Sequence, residues 1–161
     1  MSLRDDIRAG EAVLPFDPGD RAEAGVAFIG RIRSPWSKGD CPKNIGQARE
    51  TGKPARIELD QAYARGLRGL EAGRAVVLLY WMDRGSRDLI MQAPRHADAP
   101  KGTFALRSPR RPNPIAMAVV RITDIDAEAG HIGIDAIDCF DGTPLLDIKP
   151  WFDGVDIPPD R

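Results

Sequence analysis

KGTFALRSPRRPNPIAMAVVRI, residues 101–122, is the stretch on which the reading of the chain turns. Its first half is stiff and basic. Arg107, Arg110 and Arg111 stand close together, and Pro109, Pro112 and Pro114 fix their own φ angles and push the residues before them toward extended backbone. Asn113 is pinned between two of these prolines. A plain surface loop is richer in Gly, Ser and Asp. This one suits guanidinium groups held in fixed directions, and so an anionic or zwitterionic ligand. On composition alone, a Pro-rich connector with solvated arginines accounts for it equally well. The second half, residues 115–122, turns apolar and β-branched and reads as a buried strand.

Working outward from that strand, the same signals recur at short intervals. Residues 75–82, AVVLLYWM, form a continuous apolar run whose length and flanks favour a central strand over a helix. Residues 25–33 read as the first strand, with Val26, Phe28 and Ile32 inward. Residues 55–59, 89–92, 103–106 and 145–148 read as short strands. Residues 131–137 alternate and pair with the 115–125 strand as a hairpin across 126–130. Asp60 is placed to cap a helical turn running through Tyr63 and Leu67. Residues 37–52 form a long polar loop, a length that is usually functional or mobile. Residues 1–21, broken by Pro15, Pro18 and Gly19, read as an N-terminal extension, loosely ordered or packed against a partner subunit. The expected class is therefore mainly all-β: a barrel or compact sandwich-like sheet with short helical turns.

At 161 residues the chain is long enough for one domain with a real core, and its net charge of −1 points to no particular partner. The distribution says more. Arg84, Arg87, Arg95, Lys101, Arg107, Arg110 and Arg111 make the middle basic, while Asp135, Asp138, Asp141, Asp147, Asp153, Asp156 and Asp160 make the end acidic. Either one face meets polyanions or the two halves pair with each other. Cys41 and Cys139 carry no metal-ligand spacing; one disulfide is conceivable, but two free thiols in a reducing cytoplasm fit better. No metal site, signal peptide or membrane span is expected. A GxGxxG unit, a P-loop, a nucleophile elbow and zincin signatures are all missing, and His96 and His131 leave His-based catalysis little to work with.

The second motif is DCFDGTPLLDIKP, residues 138–150. Asp141-Gly142-Thr143-Pro144 reads as a tight turn with its backbone N–H groups and carboxylate pointing outward, although a plain hairpin turn fits the spacing better. Asp147 alternates into an apolar context, where a carboxylate needs a partner such as an arginine of the basic loop.

These motifs together resemble the TsaA/TrmO family. GTFALRSPRRPNPIAMAVV matches its signature, roughly G-x-F-x-x-R-S-x-x-R-P-N-P-I-G. FIGRIRSP (residues 28–35), GLRGLEAGRAVVLLYW (66–81) and the DGTPxxDIKP block follow in the family's order, so the likeness runs from about residue 26 to 158. The resemblance implies a single small TsaA-like β-barrel domain over residues 22–161 that binds S-adenosyl-L-methionine. It also implies a homodimer and N6-methylation of threonylcarbamoyladenosine beside the tRNA anticodon. Carried over by motif, the cofactor contacts are Pro42, Lys43, Asn44, Asp83, Arg84, Arg107, Met117, Asp141, Gly142, Thr143 and Pro144. Asp83 is the candidate base. Arg87, Arg110 and Arg111 are the RNA contacts. The chemistry fits: a guanidinium pairs bidentately with a carboxylate, and Asp141 suits an amine or ribose hydroxyls.

Some positions depart from the pattern. Ala116 and Ala118 replace a Gly and a frequent Ser. Asp83-Arg84 stands for a His-Gln pair, and Pro42-Lys43-Asn44 for Pro-Arg-Gln. The last two fall at cofactor positions. The alternatives they leave open are a methyltransferase of the same fold acting on a small molecule or another RNA, and a non-catalytic S-adenosyl-L-methionine-binding module. No counterpart of the extra C-terminal domain of some bacterial members is expected.

Overall fold

The computed structural model describes residues 7–160. In chain order the elements are β1 Ala12–Val13, β2 Gly30–Arg33, α1 Ile45–Glu50, β3 Ala55–Leu59, β4 Ala75–Trp81, β5 Leu89–Gln92, β6 Lys101–Gly102, β7 Ile115–Asp126, β8 His131–Ile134, β9 Thr143–Pro150 and α2 Asp153–Asp156. Short 3-10 turns lie at Pro18–Arg21, Gln61–Leu67 and Thr103–Ala105. The chain divides into two compact units. One is Met82–Ala116 with the described N-terminal stretch through Gly25; the other is Val26–Trp81 with the chain from Met117 onward.

The second unit is a closed barrel with strand order β2-β3-β8-β7-β4-β9, β9 returning to β2. Period-two alternation sets which side chains go inside. Val76, Leu78 and Tyr80 of β4 are buried while their neighbours on the other face are half-exposed. Ile32, Ile57, Val120, Ile122, Ile132, Ile134 and Leu145 complete a β-branched and Leu-rich interior. As expected from the apolar run, β4 is flanked on both sides, by β7 and β9.

In the first unit β1, β5 and β6 form a three-stranded sheet. The stretch expected to be loose or packed on a partner is tied down within its own unit from Glu11 onward. Ala12 and Val13 pair with β5, and Leu14 N–H donates to Asp88 O at 2.7 Å. Burial pushes the Glu11 carboxyl up. The backbone N–H groups of Arg8 and Ala93 and the Arg8 guanidinium outweigh this and leave it lowered.

Several expectations are corrected. The strand expected over residues 25–33 as the first is the second, β2, and begins at Gly30; Val26 and Phe28 are exposed rather than inward. The ladder starts where backbone contact is closest: a Cβ on Gly30 would lie 2.3 Å from Glu58 O. The polar 37–52 loop contains α1. Asn44 Oδ1 accepts from Gln47 N–H at 2.9 Å and Gln47 Oε1 accepts from Lys43 N–H at 3.1 Å, a reciprocal N-terminal cap. Residues 103–105 form a 3-10 turn rather than a strand, because the Thr103 hydroxyl is drawn to Leu89 O at 2.7 Å. The 3-10 turn after Asp60 is present, but the Asp60 side chain makes no capping bond. Asp147 pairs with Lys149, two residues along its own strand, at 2.9 Å, not with an arginine of the basic loop.

Gly30 gives the first prediction. In Gly30→Ala the added methyl must displace the β3 backbone, and the cost is about 1–3 kcal/mol. Denaturant unfolding measures it; a variant as stable as the parent contradicts this account of where β2 starts.

Candidate functional site

The basic loop of the first unit is stiff because its own arginines brace it. Arg87 Nε donates to Pro112 O at 2.6 Å and its Nη2 to Asn113 Oδ1 at 3.1 Å. Arg110 Nε donates to Ser86 Oγ at 3.2 Å, and Arg111 Nη1 donates to Leu106 O at 2.8 Å and Ser108 O at 3.2 Å. Of the three residues assigned to RNA, Arg87 and Arg111 thus hold the loop's backbone with part of their guanidinium groups, and Arg110 ties the loop to the Ser86 hydroxyl. Prolines limit φ, and charged donors close the remaining freedom.

A buried polar knot anchors this loop from below. Gln92, 5% exposed, donates from Nε2 to Arg110 O at 2.8 Å and to Thr103 Oγ1 at 2.9 Å; Thr103, 1% exposed, donates onward to Leu89 O. Each buried polar group has a partner, as low-polarity surroundings demand. The turn that follows β4 lies against the same loop. A Cβ on Gly85 would sit 3.2 Å from Arg110 Cγ, so glycine allows the close approach. Asp83 and Arg84 are exposed at the start of this turn, and Arg107 is exposed on the loop. The structure therefore brings the Asp83–Arg84 turn and residues 110–113 together within one unit.

In the second unit the Asp141–Gly142 turn is held by the end of β2. Gly142 has φ +81°, which favours glycine, and its N–H donates to Ile32 O at 2.8 Å. Asp141 N–H donates to Trp36 O and Thr143 N–H to Phe140 O. The backbone N–H groups expected to point outward are thus all turned inward. The Thr143 hydroxyl donates to Phe140 O at 2.7 Å, and Pro144 is buried.

The Asp141 carboxylate keeps an outward face. Its Oδ1 accepts Ser34 N–H at 3.1 Å, and its Oδ2 lies 3.8 Å from Arg33 Nη1. Arg33 Nε also pairs with Glu58 at 2.9 Å, and Arg56 pairs with the other oxygen of Glu58. The Arg33 and Arg56 hydrogen bonds hold the Glu58 carboxyl below its ordinary range, and Glu58 raises Arg33 in turn.

The remaining assigned residues of this unit are spread out. Pro42 is half-buried, and Lys43 and Asn44 are exposed in the loop that caps α1, with Asn44 Oδ1 occupied by the cap. Met117 is 44% exposed, on the face of β7 opposite Ala118, Val120 and Ile122. Cys41 and Cys139 are free thiols; burial pushes Cys41 up to about 11 and Cys139 up to about 12.

Reading the sequence missed Ser34, Arg33, Gln92, Thr103, Gly85 and Ser86. A signal existed for two of them. Gln92 closes an apolar strand, and Thr103 follows a glycine in a stretch otherwise read as strand, so both are polar groups where burial requires a partner.

A family model described as the tRNA-methyltransferase O N-terminal domain matches residues 31–157. The chain is 37% identical over 145 residues to a probable S-adenosyl-L-methionine-binding protein VirR of Rhizobium radiobacter, covering 89% of this chain and 79% of that one. It is 31% identical over 139 residues to the tRNA (adenine(37)-N6)-methyltransferase of Escherichia coli strain K12, covering 82% of this chain and 59% of that one. A crystal structure of TrmO superposes with a TM-score of 0.68 at 30% identity, over 87% of this chain and 62% of that one. The chain thus spans about three fifths of the TrmO chain it matches.

Two outcomes follow from this geometry. Thr103→Val removes the hydroxyl that donates to Leu89 O and accepts from Gln92, costs about 1–3 kcal/mol, and speeds amide hydrogen exchange across residues 106–113. Unchanged exchange there removes the knot's role in anchoring the loop. The folded chain keeps both thiols protonated above their ordinary value of 9.0, so their contribution to stability is complete below that pH and is lost as pH rises toward about 11 and about 12. The denaturant midpoint falls between pH 9 and 11, and a thiol reagent at pH 8 reacts slowly until denaturant is added. Rapid labelling of the native chain contradicts this.

Proposed function

Because the chain belongs to the tRNA-methyltransferase O N-terminal domain family, we propose that it binds S-adenosyl-L-methionine and methylates N6 of threonylcarbamoyladenosine beside the tRNA anticodon, as a homodimer in the cytoplasm. The observation that carries this reading is the extent of the match. Residues 31–157 include every motif-assigned position from Pro42 to Pro144. The names of the similar proteins, S-adenosyl-L-methionine-binding protein and tRNA (adenine(37)-N6)-methyltransferase, point the same way.

Each assigned donor, taken by itself, suits one group of the cofactor. Asp141 offers an exposed carboxylate, oriented by Ser34 N–H and Arg33, to an ammonium or to ribose hydroxyls. Arg107 offers a guanidinium to the amino-acid carboxylate. With its turn N–H groups committed inward, Asp141 acts through its side chain alone. When bound, the cofactor supplies an electrophilic methyl on a sulfonium that is its own leaving group, so no general acid is needed. The protein's task is alignment of acceptor, methyl and sulfur.

The acceptor nitrogen is a weak nucleophile because its lone pair is delocalised. Asp83, an exposed carboxylate on the turn after β4, takes the N6 proton. Arg110 commits Nε to Ser86, and its terminal nitrogens are directed to phosphate; Arg111 and Arg87 contribute in the same way while bracing the loop. The Asp83-Arg84 and Pro42-Lys43-Asn44 departures favour, as the second reading, a methyltransferase of the same kind with a different RNA or small-molecule acceptor.

Calorimetric titration with S-adenosyl-L-methionine is expected to show one site per chain; no binding removes both readings. Arg107→Ala abolishes that binding, whereas Arg110→Ala weakens tRNA binding and leaves the cofactor affinity in place. Equal cofactor affinity in the two variants refutes the division. Nucleoside mass spectrometry of tRNA from a strain lacking the gene is expected to show loss of the methylated threonylcarbamoyladenosine. Its persistence leaves only the second reading.

A further inference from the structure

Phe28 is a large apolar side chain that the barrel leaves 39% exposed, in an irregular segment just ahead of β2. Its ring centroid lies 6.4 Å from that of Trp81, with the planes inclined by 49°. The Arg31 guanidinium sits 5.9 Å from the Phe28 centroid. The same Arg31 donates from Nη1 to Gly142 O at 3.3 Å, on the turn that carries Asp141.

Arg31 and Arg33 are both exposed on β2, and Arg56 stands opposite Arg33 on β3. Three arginines here meet two carboxylates, Glu58 and Asp141, so the strip keeps positive charge. Arginines around an exposed phenyl ring and a half-buried indole match the chemistry of single-stranded nucleic acid. Bases stack on rings and guanidinium planes while phosphates meet the remaining cations. A second copy of the chain is a poorer occupant, because a two-fold contact centred on Phe28 brings Arg31 of one copy toward Arg31 of the other.

We propose that Phe28, Trp81 and Arg31 form a stacking site for an unpaired base of the RNA substrate, with Arg33 and Arg56 turned to its phosphates. This rests on the RNA reading above and extends it. The base held here is one other than the methyl acceptor. Its recognition reaches the candidate cofactor turn through the Arg31 bond to Gly142 O. The site is sequence-tolerant, because every base presents a π face.

The test uses the full chain with deproteinised total tRNA and a labelled 15-nucleotide single-stranded RNA, by fluorescence anisotropy over a salt series. Phe28→Ala weakens binding by roughly 5- to 150-fold, the range for losing one base stack. Phe28→Tyr retains affinity. Phe28→Leu, apolar but without a π face, loses it. The dependence of log affinity on log salt is unchanged in Phe28→Ala and becomes shallower by about 0.7 in Arg56→Ala. S-adenosyl-L-methionine affinity and sedimentation of Phe28→Ala match the parent.

RNA affinity in Phe28→Ala or Phe28→Leu equal to the parent's overturns the stacking site and leaves the RNA reading standing. A loss of cofactor affinity in Phe28→Ala reassigns the ring to the cofactor's own adenine and also overturns the site. A changed sedimentation coefficient shows an interface between copies and does the same. If the parent binds neither RNA at any salt, the RNA reading falls and the stacking site with it.

Discussion

A single amide governs the basic loop. Gln92 Nε2 donates to both Arg110 O and Thr103 Oγ1, and Thr103 passes the chain of bonds to Leu89 O. Gln92, Thr103 and Leu89 are almost fully buried, so their polar groups have no water to fall back on. β5, the 3-10 turn at Thr103–Ala105 and the arginine loop therefore form or fail together. The guanidinium groups of Arg87, Arg110 and Arg111 then brace what the amide has placed. Rigidity in this loop comes from donors saturated inside it as much as from its prolines, and a rigid loop meets a ligand at a smaller entropic cost.

The second unit solves a similar problem differently. Its turn is shaped by strand backbone: Gly142 N–H reaches Ile32 O, and Ser34 N–H reaches the Asp141 side chain. The outward chemistry is reduced to one carboxylate with cations behind it. Glu58, shared between Arg33 and Arg56, stops Arg33 from closing fully on Asp141. The Arg33–Asp141 separation of 3.8 Å leaves that carboxylate oriented and still able to accept another partner.

What was legible in the sequence follows the range of the interactions involved. β3 and β5 were read residue for residue, and β4 and β7 within one residue at an end, because alternation and apolar runs are local and strong. The error at Val26 and Phe28 arose because their apolar character mimics a core strand. Nothing local reveals that the ladder begins only where Gly30 lies against β3. α1 was missed although Asn44 and Gln47 carry a cap signature, since one turn and a half of helix has little periodicity to detect. The candidate site's motifs were visible as residue types. The partners that orient them were not: Ser34 and Gln92 bond to residues far along the chain, and one sequence holds no record of such pairings.

β4 and β7 are neighbours in the closed ring, yet residues 82–114 intervene between them in the chain. The two ends of this excursion are pinned by Met82 N–H donating to Pro114 O at 2.8 Å. For the barrel the excursion is no more than an enlarged hairpin connection, and enlarging such a connection adds little closure entropy. The joint is thus a natural graft point. A stretch carrying β5, β6 and its own arginines can diversify, together with the β1 strand that pairs with β5, while the ring of strands keeps its register.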